Sequence, residues 1–378
     1  MSVETFQELS TILETDSTDN TYKYALLRAV SEICQKYTHL MDIKGDLVWF
    51  PTGLIVEKWL LYYWPIFEYE NFIPQMPERY LRSKRLRLSF RNQFQKIITY
   101  YKKGNGLSQF YNEYLNNEIP SDINDQLLDL MKKIRYSITR YPMKHLGYSV
   151  YKKHYPIFSF IPSDKIPRQS VTRELLIQKF GRFSIPLEYF KVFNILGGFI
   201  LGDQSILMQW AEFTEKFTDK RPTFSEIYNL LNQEPTTERQ VQKIRNYYEK
   251  ILLDQGELKC TWSGKLITSD NQLHIDHMIP FSKWKNNDLW NLVPTHNSVN
   301  NKKKDRIPSL TLLEERKPNI IEHWLKVEAK YPQQFISEIK LSLVGYIKTE
   351  DLIDTAFSSL IDKANSLINS RKYLYWDG

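Results

Sequence analysis

Residues 273–309 read LHIDHMIPFSKWKNNDLWNLVPTHNSVNNKKKDRIPS and hold three of the chain's seven histidines, several asparagines and a lysine triplet. Apolar residues flank the pair Asp276-His277, and Pro280 follows shortly after. Because proline cannot donate to a strand ladder, this pattern predicts a short strand that ends at Pro280.

The second half of the segment predicts a strand and a helix. Asn291-Leu292-Val293-Pro294 has the character of a strand, and Thr295 is a residue type that caps helices. The helix is expected to run to about residue 303 and to end in lysines, which a helix C-terminus favours. A strand, loop, strand and helix in this order would bring Asp276 and His277 close to Asn300.

These residue types suit the hydrolysis of a phosphodiester bond, which needs a base to activate water and a cation to stabilise the leaving oxygen. His277 suits the base. The Asp276 carboxylate and the Asn300 amide are hard oxygen ligands that suit Mg²⁺ or Mn²⁺. Asn291 is expected to hold the intervening loop by hydrogen bonds. An Asp-His dipeptide alone is more often a polar pair at a surface strand end, so the spacing carries the hypothesis.

The spacing resembles the HNH, or ββα-metal, endonuclease motif: Asp276-His277, Pro280, Asn291-Leu292, and Asn300 nine residues after that Asn. The following NKKKDRIPS is similar to the Asn-x-x-Lys tail of many members, including the HNH domain of RNA-guided CRISPR nucleases. The resemblance implies that His277 is the general base and that Asp276 and Asn300 bind the metal. It implies that Asn291, grouped with His277 in the catalytic site, orders the loop.

The segment departs from the many HNH proteins that carry two Cys-x-x-Cys pairs for a structural zinc. The first pair would be Cys260 and Ser263, and the second would be His296 and Val299. Two of the four ligands are missing, so we expect no structural zinc. The alternative is a zinc site built from Cys260, His296 and His274. Packing of aromatic residues is expected to replace the zinc, namely Trp262, Phe281, Trp284 and Trp290.

Two basic groups are candidates for contact with nucleic acid. The first is Lys302, Lys303, Lys304 and Arg306, which would contact phosphates or else form a solvated helix end. The second lies in residues 79–103, which contain no acidic residue. There a helix with the buried face Leu86, Phe90, Phe94, Ile97 and Tyr101 would present Arg82, Arg85, Arg87 and Arg91 to DNA. The alternative is a charged face that only contacts solvent.

Composition limits the class of protein. The chain has 378 residues, a net charge of +7 and two cysteines, which is typical of a globular protein in a reducing compartment. The N-terminus lacks the features of a signal peptide. The most apolar stretch, residues 54–67, is too short to span a bilayer and contains charged residues and Pro65. We therefore expect a cytoplasmic protein without membrane contact.

Helical periodicity dominates outside the motif, so the predicted fold is mainly α with an embedded ββα-metal unit, α+β overall. Four regions are expected: a helical domain with the basic helix (1–141), a mixed strand and helix connection (142–255), the HNH domain (256–309) and a helical C-terminal region (310–378). One predicted helix covers 53–64 and stops before Pro65.

The function expected from the resemblance is metal-dependent cleavage of DNA, by nicking or by cutting both strands. A looser resemblance to stand-alone bacterial HNH proteins suggests restriction or phage defence, with partner proteins of such a system or a homodimer. One alternative is an RNase toxin with the same site. Another, from a different class, is a non-catalytic DNA-binding protein with a degenerate ββα fold.

Overall fold

The structure, a computed structural model, describes residues 3–16, 19–77, 88–151, 157–163, 165–200, 206–218, 221–236, 238–284, 286–346, 349–370 and 372–378. It is mainly helical with small sheets, which confirms the predicted α+β class. The chain forms two compact units, Met1–Pro235 and Thr236–Gly378. The boundary between them falls inside the predicted connection 142–255. No helix in the described part of the chain is long and apolar enough to cross a membrane.

The first unit consists of helices around one small sheet. Its helices are α1 (Val3–Thr15), α2 (Tyr22–Lys36), α3 (Thr52–Glu68), α4 (Arg91–Tyr101), α5 (Gly106–Leu115), α6 (Ser121–Arg140), α7 (Pro142–His145), α8 (Tyr148–Tyr151), α9 (Arg173–Lys179), α10 (Leu187–Ile200), α11 (Ile206–Glu215) and α12 (Phe224–Asn232). Its strands are β1 (Asp42–Lys44), β2 (Leu47–Pro51), β3 (Ser159–Ile161) and β4 (Arg182–Pro186). The sheet is antiparallel with the order β1-β2-β4-β3.

Helix α3 lies in the core of this unit and corrects one prediction. It continues through Pro65 to Glu68, although a proline lacks the amide that an inner helical turn requires. Ile66 and Phe67, beyond the proline, are buried, and their packing offsets the lost hydrogen bond. At the other end, a side chain at Gly53 would collide with the carbonyl of Leu176, so only glycine fits there.

The second unit contains the motif between helical segments. Its helices are α13 (Glu238–Gln255), α14 (Phe281–Trp284), α15 (Asn297–Lys303), α16 (Leu310–Lys330), α17 (Pro332–Ile339) and α18 (Leu352–Asn365), with π-helical turns at Lys340–Val344 and Ser366–Ser370. Its strands are β5 (Leu258–Lys259), β6 (Leu266–Ile267), β7 (Leu273–His277), β8 (Leu292–His296), β9 (Ile307–Pro308) and β10 (Tyr375–Trp376). They pair as β5–β6 and β7–β8, both antiparallel, and as β9–β10, which is parallel.

Tryptophans fill the core of the second unit. Trp262, Trp290 and Trp324 are almost completely buried, and Trp284 is also buried. The indole of Trp324 donates to the carbonyl of Trp290 at 2.7 Å, which joins α16 to the turn before β8. Three of the four aromatic residues predicted to support the motif therefore lie in the core. Phe281 is partly exposed and packs against the ring of His277, with 5.7 Å between ring centroids.

Candidate active site

Strands β7 and β8 and helix α15 form the predicted strand, loop, strand and helix. The strands pair antiparallel, with Asp276 opposite Val293 and His277 opposite Leu292. Helix α15 begins later than predicted. The ring of His296, rather than Thr295, accepts the capping hydrogen bond, from the amide of Ser298. Thr295 lies within β8 instead, where its backbone belongs to the ladder.

The two-residue period of a strand places His274 and Asp276 on the same face of β7. Their partners, Asn300 and Lys303, are three residues apart on α15 and so share one face of that helix. Asn300 Nδ2 lies 3.3 Å from His274 Nδ1, and Lys303 Nζ lies 3.0 Å from Asp276 Oδ1. The structure therefore brings Asp276 and Asn300 to the same side of the β-hairpin.

Asp276 is a buried carboxylate with a partner on each oxygen. Lys303 binds Oδ1, and the Trp262 indole donates to Oδ2 at 2.7 Å. Lys303 also donates to the carbonyl of His277 at 2.7 Å. Burial lowers the pKa of the Lys303 ammonium from its usual value, against the opposing attraction of Asp276.

This geometry corrects the prediction that Lys303 contacts phosphate. The side chain of Lys303 is completely buried and its ammonium is bound inside the protein. Lys302 and Lys304 are exposed, as phosphate contact requires. Arg306 donates to the backbone carbonyls of Lys302 and Lys303, so part of its guanidinium closes the end of α15.

His277 stands at the end of β7 and is partly exposed. Its Nε2 lies 2.6 Å from Oδ1 of Asn287, a residue outside the site that the sequence predicts. Burial lowers the pKa of His277 from its usual value of 6.5, and the hydrogen bond to Asn287 and the charge of Asp276 oppose this effect. A histidine with a lowered pKa is neutral near pH 7, which is the form that accepts a proton.

Asn291 is completely buried and all its bonds go to the backbone of the preceding loop. Its Oδ1 accepts from the amide of Ile279 at 2.8 Å, and its Nδ2 donates to the carbonyls of Ile279 and Asn286 at 3.0 Å each. Such an amide fixes the loop between the strands. Enclosed in this way it does not touch a substrate, which corrects its grouping with His277 as catalytic.

The loop is also held by α17, outside the predicted motif. Glu338 is buried, and its Oε2 accepts from the amide of Leu289 at 2.6 Å. Trp290 donates at 2.8 Å to Ser342, which lies in the π-helical turn that follows α17. Burial raises the pKa of Glu338 well above its usual 4.5, and the nearby carboxylate of Asp288 adds to the shift.

The residues at the site fit a hard divalent cation, although no three His, Cys, Asp or Glu side chains group as metal ligands among the described residues. A carboxylate accepts at about four lone-pair positions, so Asp276 retains capacity beside Lys303 and Trp262. Asn300 adds an amide oxygen. Such a pair suits an ion that keeps several waters. The candidate zinc ligand Cys260 is buried, and its sulfur accepts from the amide of His296 at 3.3 Å.

Four arginines of the first unit are predicted to contact DNA, and the structure describes one of them, Arg91. Arg82, Arg85 and Arg87 lie outside the described residues. Arg91 opens α4, where its guanidinium donates to the carbonyl of Ile73 at 2.8 Å and lies over the rings of Phe67 and Phe72. These contacts give Arg91 a structural role in addition to the predicted contact with DNA.

Two family models match the chain, each within one compact unit. The first, described as a domain of unknown function (DUF8808), covers residues 2–231, more than half of the 378 residues. The chain belongs to the DUF8808 family. The second model, described as HNH endonuclease, covers residues 260–309, which therefore form an HNH domain that follows the DUF8808 domain in the sequence. No curated protein and no solved structure matches the chain.

Proposed function

We propose that this protein is a metal-dependent endonuclease that hydrolyses phosphodiester bonds of DNA. The observation that carries the proposal is the HNH domain at 260–309, in which β7 carries Asp276 and His277 and Asn300 of α15 lies on the same side of the hairpin as Asp276. His277 takes the proton of the attacking water. Asp276 and Asn300 hold a divalent ion, Mg²⁺ or Mn²⁺, as the HNH resemblance implies.

Each remaining residue of the site has a task in this reaction. A bound divalent ion supplies Lewis-acid stabilisation of the leaving oxygen. Lys303 holds the Asp276 carboxylate in place through the ion pair at 3.0 Å. Asn291 fixes the loop that follows His277. Lys302 and Lys304 contact phosphates and position the DNA backbone without reading its sequence.

The test is incubation of supercoiled plasmid, and of a single RNA transcript, with Mg²⁺ or Mn²⁺, each with and without chelator. The proposal expects chelator-sensitive cleavage of the plasmid. Open circles as the first product indicate nicking, and linear molecules without prior open circles indicate cutting of both strands. Cleavage of RNA alone would favour an RNase toxin. Binding of the plasmid by the protein without cleavage would favour a degenerate ββα fold that only binds DNA.

The proposal includes a role in restriction or phage defence, with partner proteins of such a system or with a second copy of the chain. This part rests on the looser resemblance to bacterial HNH proteins. Phage plating on cells with the wild-type gene and with a His277→Ala gene tests it. Equal plating efficiency on both strains across a phage panel would remove the defence role and leave the nuclease proposal standing.

A further inference from the structure

The His277 ring makes a short polar contact with a residue outside the recognised motif. Asn287 Oδ1 lies 2.6 Å from His277 Nε2. Asn287 belongs to the loop between α14 and β8, and it is partly buried. An amide oxygen accepts hydrogen bonds and cannot donate them, whereas a neutral imidazole has one donating and one accepting nitrogen. With this orientation of the amide, Nε2 of a neutral ring carries the proton.

We infer that Asn287 is a positioning residue that keeps the proton of neutral His277 on Nε2 and leaves the lone pair of Nδ1 for the attacking water. The inference rests on the proposed function, in which His277 is the base. The tautomer of a histidine is set by the partner of its other nitrogen, and a wrong tautomer places a proton where the base must accept one.

The competing arrangement has the side-chain amide of Asn287 turned over, so that Nδ2 faces His277. In that arrangement His277 cannot act as a base. Nδ2 of Asn287 would then donate to Nε2 and occupy its lone pair, while Nδ1 would carry the proton. Neither ring nitrogen would accept a proton from water. The orientation with Oδ1 toward His277 leaves one nitrogen available, so it is the arrangement that the reaction requires.

The loop around Asn287 is built to hold this contact. Asn286 accepts from the amide of Asp288 at 2.9 Å through its side chain, and its own carbonyl accepts from Asn291 at 3.0 Å. The amide of Leu289 is bound by the buried Glu338 at 2.6 Å. Bonds on both sides of Asn287 therefore restrict its backbone, which keeps its short side chain in reach of His277.

The experiment compares Asn287→Leu, which removes the acceptor at similar size, with Asn287→Asp, which keeps an oxygen acceptor. Asn271→Leu, an exposed asparagine of the same unit, is the matched control. We expect Asn287→Leu to lower kcat for plasmid cleavage about 10–100-fold with little change in KM, as removal of a supporting hydrogen bond does elsewhere. Asn287→Asp should retain more activity than Asn287→Leu, and the control should match the wild type.

A second readout needs no catalysis. Nitrogen-15 NMR of the full chain with labelled histidine, recorded at about pH 8 where imidazole is neutral, shows which ring nitrogen carries the proton. The His277 signals are assigned by their loss in His277→Ala. We expect the Nε2–H form in the wild type and a mixture with Nδ1–H in Asn287→Leu.

Two results would overturn the inference: an Nδ1–H form of His277 in the wild type, or wild-type kcat in Asn287→Leu. Failure of the proposed function is distinguishable, because it would appear as a wild-type protein that cleaves no nucleic acid. The NMR measurement still decides the tautomer in that case.

Discussion

Lys303 Nζ lies 3.0 Å from Oδ1 of Asp276 in a site where both side chains are buried. An ammonium thus stands beside the carboxylate proposed to bind the metal. A buried ion pair of this kind contributes little more to folding stability than an apolar pair of similar size. Loss of one partner, however, leaves the other charge buried and unpaired, which is strongly destabilising. The pair therefore links the stability of the second unit to the geometry of the site.

Replacement of Lys303 by Met should lower the free energy of unfolding by about 3–5 kcal/mol, because the Asp276 carboxylate stays buried without its cation. Lys302→Met removes an exposed lysine one position away, and it should change stability by no more than about 0.5 kcal/mol. Urea unfolding of both variants measures the difference. Equal stability of the two variants would mean that Lys303 is not enclosed with Asp276.

Replacement of Glu338 tests the support that α17 gives to the loop. The raised pKa favours the neutral acid, which a Gln side chain imitates in shape and as an acceptor. Glu338→Gln should therefore remain close to the wild type. Glu338→Leu leaves the Leu289 amide buried without its acceptor, which costs about 1–3 kcal/mol, and it should also lower plasmid cleavage. Thermal melting and cleavage rates check this, and a Gln variant as weak as the Leu variant would contradict it.

Residues 273–309 show how far local pattern predicts this site. The strands were predicted because apolar alternation and prolines are local signals, and β7 and β8 lie where these signals place them. Thr295 was wrongly predicted as the cap, because both Thr and His side chains can accept from a helix amide. Helix spacing could have predicted the burial of Lys303. Lys303 lies three residues after Asn300, so both side chains share the face of α15 that is turned toward β7.

The rest of the site depends on contacts between residues distant in sequence. Glu338 and Leu289 are 49 positions apart, and no local pattern predicts that a glutamate of α17 would accept from that amide. Asn287 is one of three polar residues in succession, Asn286, Asn287 and Asp288, and its sequence does not show which of them faces His277. Continuation of α3 through Pro65 likewise depends on tertiary packing that outweighs a local preference.

His323 predicts a pH dependence of stability. It is buried and donates from Nε2 to the carbonyl of Lys259 at 3.1 Å, and burial lowers its pKa from 6.5 to about 4. In the unfolded chain the His323 imidazole binds a proton below about pH 6.5, whereas in the folded chain it binds one only below about pH 4. Stability should therefore fall as the pH drops from 6.5 toward 4.

The His323→Gln variant isolates this effect. Each pH unit below 6.5 should lower the unfolding free energy of the wild type by about 1.4 kcal/mol relative to the variant, which lacks the imidazole. Between pH 7.5 and pH 5 the wild type should therefore lose about 2 kcal/mol relative to the variant. Chemical denaturation at the two pH values measures it. A difference that does not change with pH would show that His323 titrates as it does in the unfolded chain.

Zinc analysis tests the interpretation of the incomplete cysteine pairs. Protein purified without added metal should contain zinc well below one equivalent, because two of the four expected ligands are Ser263 and Val299. Elemental analysis by mass spectrometry gives the ratio directly. One tightly held zinc per chain would favour the alternative site with Cys260, His274 and His296.

Plasmid cleavage by the wild type and by His277→Ala, each with Mn²⁺ and in protein shown to be folded by thermal melting, decides whether His277 is the general base of a metal-dependent nuclease. We expect His277→Ala to lower the cleavage rate by on the order of 10²–10⁴-fold, while DNA affinity, measured by filter binding, stays nearly unchanged. Wild-type cleavage that survives chelation, or equal cleavage by the two proteins, would contradict it.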